Sequence, residues 1–262
     1  MIAHRRVSRL LLALLVLVSL APAGLLALRA LSAAWRYPSL LPARAESDTI
    51  GLASGAPEIQ AAFVLSITLA IVTGCIGTAF GFVAARTLIR APARVRHFAA
   101  GAAFLPVIAP PIALGVGIQV LTIRMGLGGS VGGVVLAHLV PAAGYLTLFF
   151  LGVLSAYDVS MEEQARSLGA TRWQTFLRVT APALRARWLE AMVLGALVSW
   201  GQLALTLLIG GGAVRTLPIA LLSFVRAGDD RLAAAAAIML TVPPALAFGL
   251  MQRGARQTGA GV

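Results

Sequence analysis

Six polar side chains lie in stretches of the sequence that otherwise carry no charge: Gln119, His138, Tyr145, Ser199, Gln202 and Thr206. A polar group among apolar neighbours in a membrane is costly unless it meets a partner or a water-filled cavity. Ser199, Gln202 and Thr206 follow one another at spacings of three and four, which places them on one face of a helix. All of the six except Tyr145 are retained as candidates for lining a path for polar solutes. For His138, a hydrogen-bonded packing role is the alternative.

Residues suited to catalysis or metal binding do not form a set in this sequence. The three histidines, His4, His97 and His138, lie far apart, and Cys75 is the single cysteine. Because there is no lysine, the phosphate-binding motif G-x-x-x-x-G-K-[S/T] is absent. The sequence therefore predicts no enzyme, no metal site and no cofactor for the chain itself. Cys75 lies inside an apolar run and is predicted to be a small packing residue.

A polar segment, SMEEQARSLGATRWQTFLRVTAP, interrupts the apolar runs at residues 160–182. Its first part matches a capping box, in which the Ser160 hydroxyl accepts from the amide three residues on and the Glu163 side chain reaches back. Gly169 is suited to the left-handed conformation that ends many helices. The pattern predicts a short helix over residues 161–168 that ends at Gly169.

The second part of this segment repeats the pattern. Thr171 and Gln174 match another capping box, and Pro182 is predicted to stop the helix that follows. We call residues 158–182 the polar insert. Two capped helices are too structured for a linker, and their apolar residues have no soluble core to enter. A docking element for a partner protein is favoured, and a helix pair lying on lipid headgroups is the alternative.

The elements that position these residues are long apolar runs. The chain has 262 residues, 59% of them hydrophobic, and a mean hydropathy of +0.91. Uncharged runs of about 19 residues or more are long enough to cross a bilayer as helices. Backbone groups in lipid are paired within their own segment, so the sequence predicts an all-α polytopic membrane protein. The six predicted spans are residues 8–31, 59–85, 98–123, 131–154, 189–211 and 231–252.

Prolines predict irregular spans. Pro106, Pro110 and Pro111 each remove a backbone donor and should kink or break the third span, and the pair Pro243 and Pro244 should kink the sixth. Broken helices in membranes tend to line cavities. The third span is accordingly either a path-lining helix or a merely bent one.

The chain divides into three parts by composition. Residues 1–58 are predicted to hold the first transmembrane helix and an outer loop, residues 59–253 the core membrane domain, and residues 254–262 a tail. A basic start, an apolar run and a small-residue step also fit a cleaved signal peptide, which is the alternative for the first helix. Residues 216–226 are too short to span and predict a short surface or re-entrant helix.

The basic charge has a one-sided distribution. All 21 basic residues are arginines, and the net charge is +12. About two thirds of the arginines lie on the side that holds both termini and the polar insert, which predicts this side to be cytoplasmic. This bias accounts for the basic composition without a nucleic-acid-binding surface.

The polar insert resembles the EAA loop in permease subunits of binding-protein-dependent ABC importers. The family pattern is E-A-A, three residues, G, nine residues, I, one residue, L-P. The residues that match its spacing are Glu163, Gln164, Ala165, Gly169, Val179, Ala181 and Pro182. Gln164 for Ala, Val179 for Ile and Ala181 for Leu are mild departures. The apolar segments between residues 60 and 250 also resemble the family core. The region after the insert resembles the branch that handles polyamines, iron(III), thiamine or phosphonates.

The resemblance implies a type I importer permease fold whose loop forms a coupling helix on a cytoplasmic ATPase. It implies two separate ABC ATPase subunits that bind ATP and Mg, a second permease subunit, identical or homologous, and an external solute-binding protein. It also implies the bacterial cytoplasmic (inner) membrane. The coupling residues carried over by position are Glu163, Ala165, Gly169 and Pro182, to which we add Arg166, Arg172 and Trp173 as interface residues.

Other classes fit less well. A secondary transporter that works without ATP is the main alternative, although it would be expected to carry an intramembrane carboxylate or an inverted repeat. A membrane enzyme would need a convergent catalytic set. The permease domain of an ABC exporter is usually fused to its ATPase and lacks the EAA loop.

Overall fold

The computed structural model describes residues 55–259 continuously and, before them, only scattered positions between residues 11 and 51. The predicted first span, the outer loop and the choice between a retained helix and a signal peptide lie outside the described residues. Every regular element in the described part is helical, which confirms the predicted all-α class. The chain forms two compact units, one of Val64–Thr216 with Gly249–Val262 and one of Met1–Phe63 with Leu217–Phe248.

The described helices are α1 (Pro57–Leu88), α2 (Ala93–Ile108), α3 (Pro111–Arg124), α4 (Val131–Ser155), α5 (Ser160–Ser167), α6 (Arg172–Thr175), α7 (Arg185–Trp200), α8 (Leu203–Gly210), α9 (Leu217–Ala227) and α10 (Asp230–Gly259). A π-helical turn, Phe176–Thr180, and one α-helical turn, Ala181–Ala183, follow α6. By length and composition, α1, α4 and the Asp230–Gly249 part of α10 are each able to cross a membrane. The bent pairs α2/α3 and α7/α8 pass the same test only when each pair is counted as one broken segment, which is a broken span or a re-entrant loop. These helices correspond to the five predicted spans within the described residues.

The third predicted span is broken at its prolines. Ala109 (φ −63°, ψ 137°) and Pro110 (φ −55°, ψ 128°) are extended, because a residue that precedes a proline is pushed out of the helical region. The axes of α2 and α3 differ by 103°. Pro111 then opens α3, where a missing N–H costs nothing. Pro106, in contrast, stays inside α2.

The fifth predicted span is also broken, which the sequence did not predict. Gly201 and Gln202 separate α7 from α8, whose axes differ by 60°. Gln202 has the non-helical angles φ −82° and ψ 85°. The expectation that Ser199, Gln202 and Thr206 share one face of a continuous helix is therefore wrong.

Helix α4 is the centre of the larger unit. Ser130 caps its first turn by accepting from the Gly133 amide at 3.0 Å. The core around it buries Leu146 and Phe150 of α4 with Phe82 of α1 and Ala191 of α7. This core brings the ends of three helices, α1, α4 and α7, next to the polar insert.

Close helix contacts in this core depend on glycine. A Cβ added at Gly81 of α1 would lie 2.7 Å from the Leu146 carbonyl carbon, and one at Gly74 would lie 2.6 Å from the Met192 carbonyl oxygen. Only a residue without a side chain allows backbones to approach this closely. Cys75, on the same helix, is exposed, so its predicted packing role within this chain is wrong.

The first half of the polar insert ends as predicted but begins differently. Gly169 has φ +88°, the Ala170 amide donates to the Ala165 carbonyl at 3.1 Å, and the Gly169 amide donates to the Arg166 carbonyl at 3.0 Å. These bonds form a Schellman motif. The predicted Ser160 capping box is wrong, because α5 starts one residue earlier. Asp158 instead accepts from the Ser160 amide and hydroxyl, both at 2.9 Å.

The second half confirms one prediction and corrects another. Thr171 and Gln174 form the predicted capping box, with bonds of 3.2 and 2.9 Å. Pro182 does not stop the helical path, which continues to Ala183. The wide π turn brings the Ala181 amide to the Phe176 carbonyl, one residue beyond the α pattern. The change of direction before α7 comes at Leu184 (φ −98°, ψ 10°).

The smaller unit contains α9 and most of α10. Helix α9 is the predicted short helix, and it ends at Gly228 (φ +72°) in a second Schellman motif. Asp229 then caps α10 by accepting from the Leu232 amide at 3.0 Å. Pro243 and Pro244 lie inside α10, which continues through them as one helix.

Candidate functional site

A buried carboxylate fastens the polar insert to the transmembrane helices. Glu162 of α5 is only 4% exposed. Its Oε2 accepts from the Arg86 guanidinium of α1 at 2.6 Å, and its Oε1 accepts from the Thr180 hydroxyl at 2.7 Å. Both carboxylate oxygens are thus bonded, as a buried charge requires. One side chain joins the end of α1, the first insert helix and the π turn.

Aromatic rings make a second attachment. Phe176, at the start of the π turn, lies 5.9 Å from the Phe82 ring and 6.4 Å from the Trp188 ring, measured between ring centroids. Phe82 and Trp188 are themselves 4.6 Å apart, and the Arg86 guanidinium lies 5.7 Å from the centre of the Phe82 ring. Separations of this size are typical of favourable aromatic and cation–π pairs.

The predicted coupling residues lie mostly on the other face of the insert. All of them except the half-buried Ala165 are exposed, and the set consists of Glu163, Ala165, Arg166, Gly169, Arg172, Trp173 and Pro182. Trp173 is 67% exposed even though it stacks on Phe176 at 5.7 Å. The structure adds exposed apolar side chains that sequence reasoning missed, chiefly Leu168 at 89% and Met161. The insert therefore has one face that is attached to the transmembrane helices and an opposite, exposed face that is partly apolar.

Arginines surround the junction between the insert and α1. One open crevice is lined by four arginines, Arg86, Arg90, Arg166 and Arg172, and Glu162 is the single acidic residue in its lining. Around the same junction, burial and the charge of Glu162 raise the pKa of Tyr157 above its usual range. Two hydrogen bonds from Ser160, first from its amide and then from its hydroxyl, lower the pKa of the Asp158 carboxyl. The phenol is therefore neutral and the carboxyl ionised at neutral pH.

Three of the predicted path residues meet inside the spans. His138 of α4, which is 1% exposed, has its Nδ1 2.8 Å from the Ser199 hydroxyl and its Nε2 2.9 Å from the Thr206 hydroxyl. Thr206 donates its proton to the Gln202 carbonyl, so it accepts from Nε2–H, and Ser199 donates to Nδ1. These groups satisfy one another, as the packing interpretation of His138 requires.

Gln119 and Gln202 have separate positions. The Gln119 amide of α3 donates to the Leu208 carbonyl of α8 at 2.9 Å, and Gln202 lies in the break beside Ser199. Together with neighbouring residues, His138, Ser199, Gln202 and Thr206 surround a gap that is too small to hold a water molecule. The structure thus brings four of the candidates together and places Gln119 on the neighbouring half-helix. Tyr145 is exposed.

Comparison with known families identifies the chain. A family model described as "Binding-protein-dependent transport system inner membrane component" matches residues 77–257, which is more than half of the chain. The chain belongs to this family of transport subunits. The matched region contains the polar insert, both broken spans and the His138 cluster.

Individual relatives of this permease family agree with the assignment. Sulfate permease 2 from the chloroplast of Chlamydomonas reinhardtii is 29% identical over 210 residues, 74% of this chain and 56% of that protein. The spermidine/putrescine permease PotC of Haemophilus influenzae is 25% identical over 189 residues, 72% of this chain and 73% of that protein. PotC belongs to the branch that the sequence resembles. Sulfate lies outside the solutes predicted from that branch.

A solved structure shows the same fold. A chain of a bacterial ABC transporter involved in the import of the acidic polysaccharide alginate superposes with a TM-score of 0.67, at 14% identity, over 94% of both chains. This likeness supports the predicted importer permease fold and a multi-pass membrane protein. The alignments with the relatives leave part of each relative unmatched, so their solutes and partners belong to them.

Sequence reasoning missed several polar residues of this permease, above all Glu162. The two adjacent acids occupy different faces of α5, and the local sequence gives no signal for which of these faces is buried. Thr73 and Thr78 of α1 are buried, and within the described part of the chain their hydroxyls have no hydrogen-bond partner. Threonine gives no sequence signal here, because its hydroxyl so often bonds to its own helix.

Proposed function

We propose that this chain is the transmembrane permease subunit of an ATP-driven importer that couples to a separate ATPase through the polar insert. One observation carries the proposal. Glu162 and Phe176 attach the insert to the spans, while the residues that match the EAA pattern, Glu163 and Gly169, lie on its exposed face. An element attached on one side and partly apolar on the other is suited to receiving a partner protein.

The proposed assembly contains two ABC ATPase subunits that bind ATP and Mg, a second permease subunit, identical or homologous, and an external solute-binding protein. The insert and both termini lie in the cytoplasm, following the distribution of arginine, and the membrane is the bacterial cytoplasmic (inner) membrane. The family membership and the match to an alginate importer of known structure support this arrangement.

The proposed path for the solute runs beside the two breaks. Gln119, His138, Ser199, Gln202 and Thr206 supply neutral donors and acceptors there, which suits a small polar solute. A polyamine, iron(III), thiamine or a phosphonate-like anion is the proposed range. Since His138, Ser199 and Thr206 bond to one another in this conformation, they reach a solute only in a conformation that separates α4 from the α7/α8 break.

Recovery of an ATPase with the tagged chain tests the proposal. The chain is extracted in mild detergent from its native membrane, and bound proteins are identified by mass spectrometry, in parallel with a Glu163→Arg/Gly169→Glu variant. An ABC ATPase recovered with the wild-type chain and lost from the variant is the expected result. A chain that purifies alone, and that transports solute in liposomes without ATP, would establish the secondary-transporter alternative.

A further inference from the structure

The junction between the insert and α1 contains an ion pair of unusual placement. Arg86 and Glu162 are 76 positions apart in the chain and 2.6 Å apart in space. The Glu162 side chain is 5% exposed and that of Arg86 is 25% exposed. Another ion pair, between Arg187 and Glu190, joins residues three positions apart on one helix and is far more exposed. The Arg86–Glu162 pair therefore connects two different elements, whereas the Arg187–Glu190 pair lies within one.

Both carboxylate oxygens and the backbone carbonyl of Glu162 accept hydrogen bonds. Oε2 holds Arg86, Oε1 holds the Thr180 hydroxyl, and the backbone carbonyl accepts from Arg166 Nε at 3.3 Å. Thr180 is fully buried. Replacing one partner of a buried ion pair leaves an uncompensated charge, so loss of either Arg86 or Glu162 should disrupt this junction. The bonds from one residue thus join α5 to α1 and to the π turn.

The side chains of the adjacent residues Glu162 and Glu163 lie on opposite faces of the polar insert. Glu162 faces the spans and is buried, whereas Glu163 faces away and is exposed. Glu163 matches the EAA pattern; Glu162 does not take part in it. One acid is thus available to a partner protein while the next holds the insert to its own chain.

Helix α1 leads from this junction into the core. Its Gly81 and Gly74 lie against the backbones of α4 and α7, and the intervening space does not admit a methyl group. Packed helices of this kind move as bodies, since the interior has little free volume. A displacement imposed on the end of α1 consequently reaches α4, which carries His138.

We propose that Glu162 is a positioning residue that, through Arg86 and Thr180, makes the polar insert and α1 move together when an ATPase displaces the insert. The inference rests on the proposed function, because it needs an ATPase on the exposed face. In this proposal Glu162 transmits the movement of the insert to α1, and Glu163 and Gly169 contact the ATPase.

Distance measurement between two spin labels tests this inference. The labels are placed at Ser167→Cys in the insert, outside the proposed contact residues, and at Val83→Cys in α1, both exposed positions, in a Cys75→Ser background. The full chain is assembled with its ATPase in lipid nanodiscs, and distances are recorded without nucleotide and with ATP and Mg. In the wild-type chain we expect one distance that is the same in both states.

Variants separate the ion pair from general damage. Glu162→Gln is expected to retain ATPase binding, to change the label distance on addition of ATP, and to lower the coupling of ATP hydrolysis to the solute-binding protein about tenfold. Exchange of the charges, Glu162→Arg with Arg86→Glu, should restore much of this coupling. Glu190→Gln removes the exposed pair and should behave as wild type. Thr180→Val removes only the Oε1 contact and should give an intermediate result.

The outcomes are distinguishable. If no ATPase binds the wild-type chain, the proposed function is wrong and this inference falls with it. If the ATPase binds and the wild-type label distance changes with ATP, this inference alone is overturned, whatever the variants do. A Glu162→Gln complex whose label distance and coupling equal those of wild type overturns it as well.

Discussion

His138 Nδ1 lies 2.8 Å from the hydroxyl of Ser199, at the end of α7. The other ring nitrogen lies 2.9 Å from Thr206, which follows the break in the same span. The imidazole of α4 therefore bridges the two halves of a broken helix. A single substitution at this ring affects both halves at once.

His138→Ala is expected to destabilise the chain by about 2–4 kcal/mol, because it removes a buried ring and leaves two hydroxyls without their partner. Thermal unfolding in detergent measures this effect. Tyr145→Phe on the same helix is the control and should change stability by less than about 0.5 kcal/mol, since Tyr145 is exposed. A double-mutant cycle with Ser199→Ala should give a coupling energy of about 0.6–1.7 kcal/mol. Equal stability of His138→Ala and wild type would contradict the bridge.

Gly81→Ala is expected to cost about 1–3 kcal/mol, because the added methyl group meets the Leu146 backbone at 2.7 Å. Gly152→Ala is a matched control in α4, where an added Cβ has nothing within 4 Å. There the substitution should be neutral or stabilising by up to about 1 kcal/mol, following helix propensity. The unfolding midpoints of both variants test this prediction. A Gly81→Ala midpoint at or above that of the wild-type chain would show that the helices do not pack as described.

Gly169→Glu should lower ATPase binding strongly while it costs only about 1–2 kcal/mol of stability, the price of a side chain in the left-handed conformation. Space is not the obstacle, since an added Cβ at Gly169 has nothing within 4 Å. Gly228→Glu is the control because Gly228 has the same conformation and open surroundings at the end of α9. It should show a similar loss of stability with normal ATPase binding. Loss of binding in both variants would trace the effect to folding.

Phe176→Ala should mainly lower the stability of the chain, whereas Trp173→Ala should mainly weaken ATPase binding. Phe176 is half-buried and packs on Phe82 and Trp188, so its removal should cost about 1–3 kcal/mol of stability. Trp173 is mostly exposed, so its removal should cost little stability but weaken ATPase binding by about tenfold or more, as for an interface tryptophan. Unfolding midpoints and binding constants for both variants test the division of the insert into an attached and an exposed face. A Trp173→Ala variant with wild-type binding would place the ATPase contact elsewhere.

Hydropathy and capping patterns predicted a large part of this structure. The span positions within the described residues follow from uncharged length alone, and the Thr171 capping box and the Gly169 turn follow from local backbone chemistry. Such features depend only on residues that are close together in the sequence, so they can be predicted from the sequence alone.

The remaining features depend on contacts between distant residues. Nothing local distinguishes Glu162 from Glu163 as the buried acid, since the choice is made by Arg86 on another helix. The break at Gly201 has no proline to announce it. Pro182 was expected to end a helix, but the preceding π turn places the residue where its missing donor is tolerated.

The π turn at Phe176–Thr180 also has a geometric consequence. It contains one residue more than an α turn would need. If that residue were absorbed into regular α-helix, everything after it would rotate by about 100° and advance by about 1.5 Å along the axis. A change from π-helical to α-helical geometry in this turn would therefore rotate α7 relative to the insert by one residue, without breaking a covalent bond or unfolding a helix.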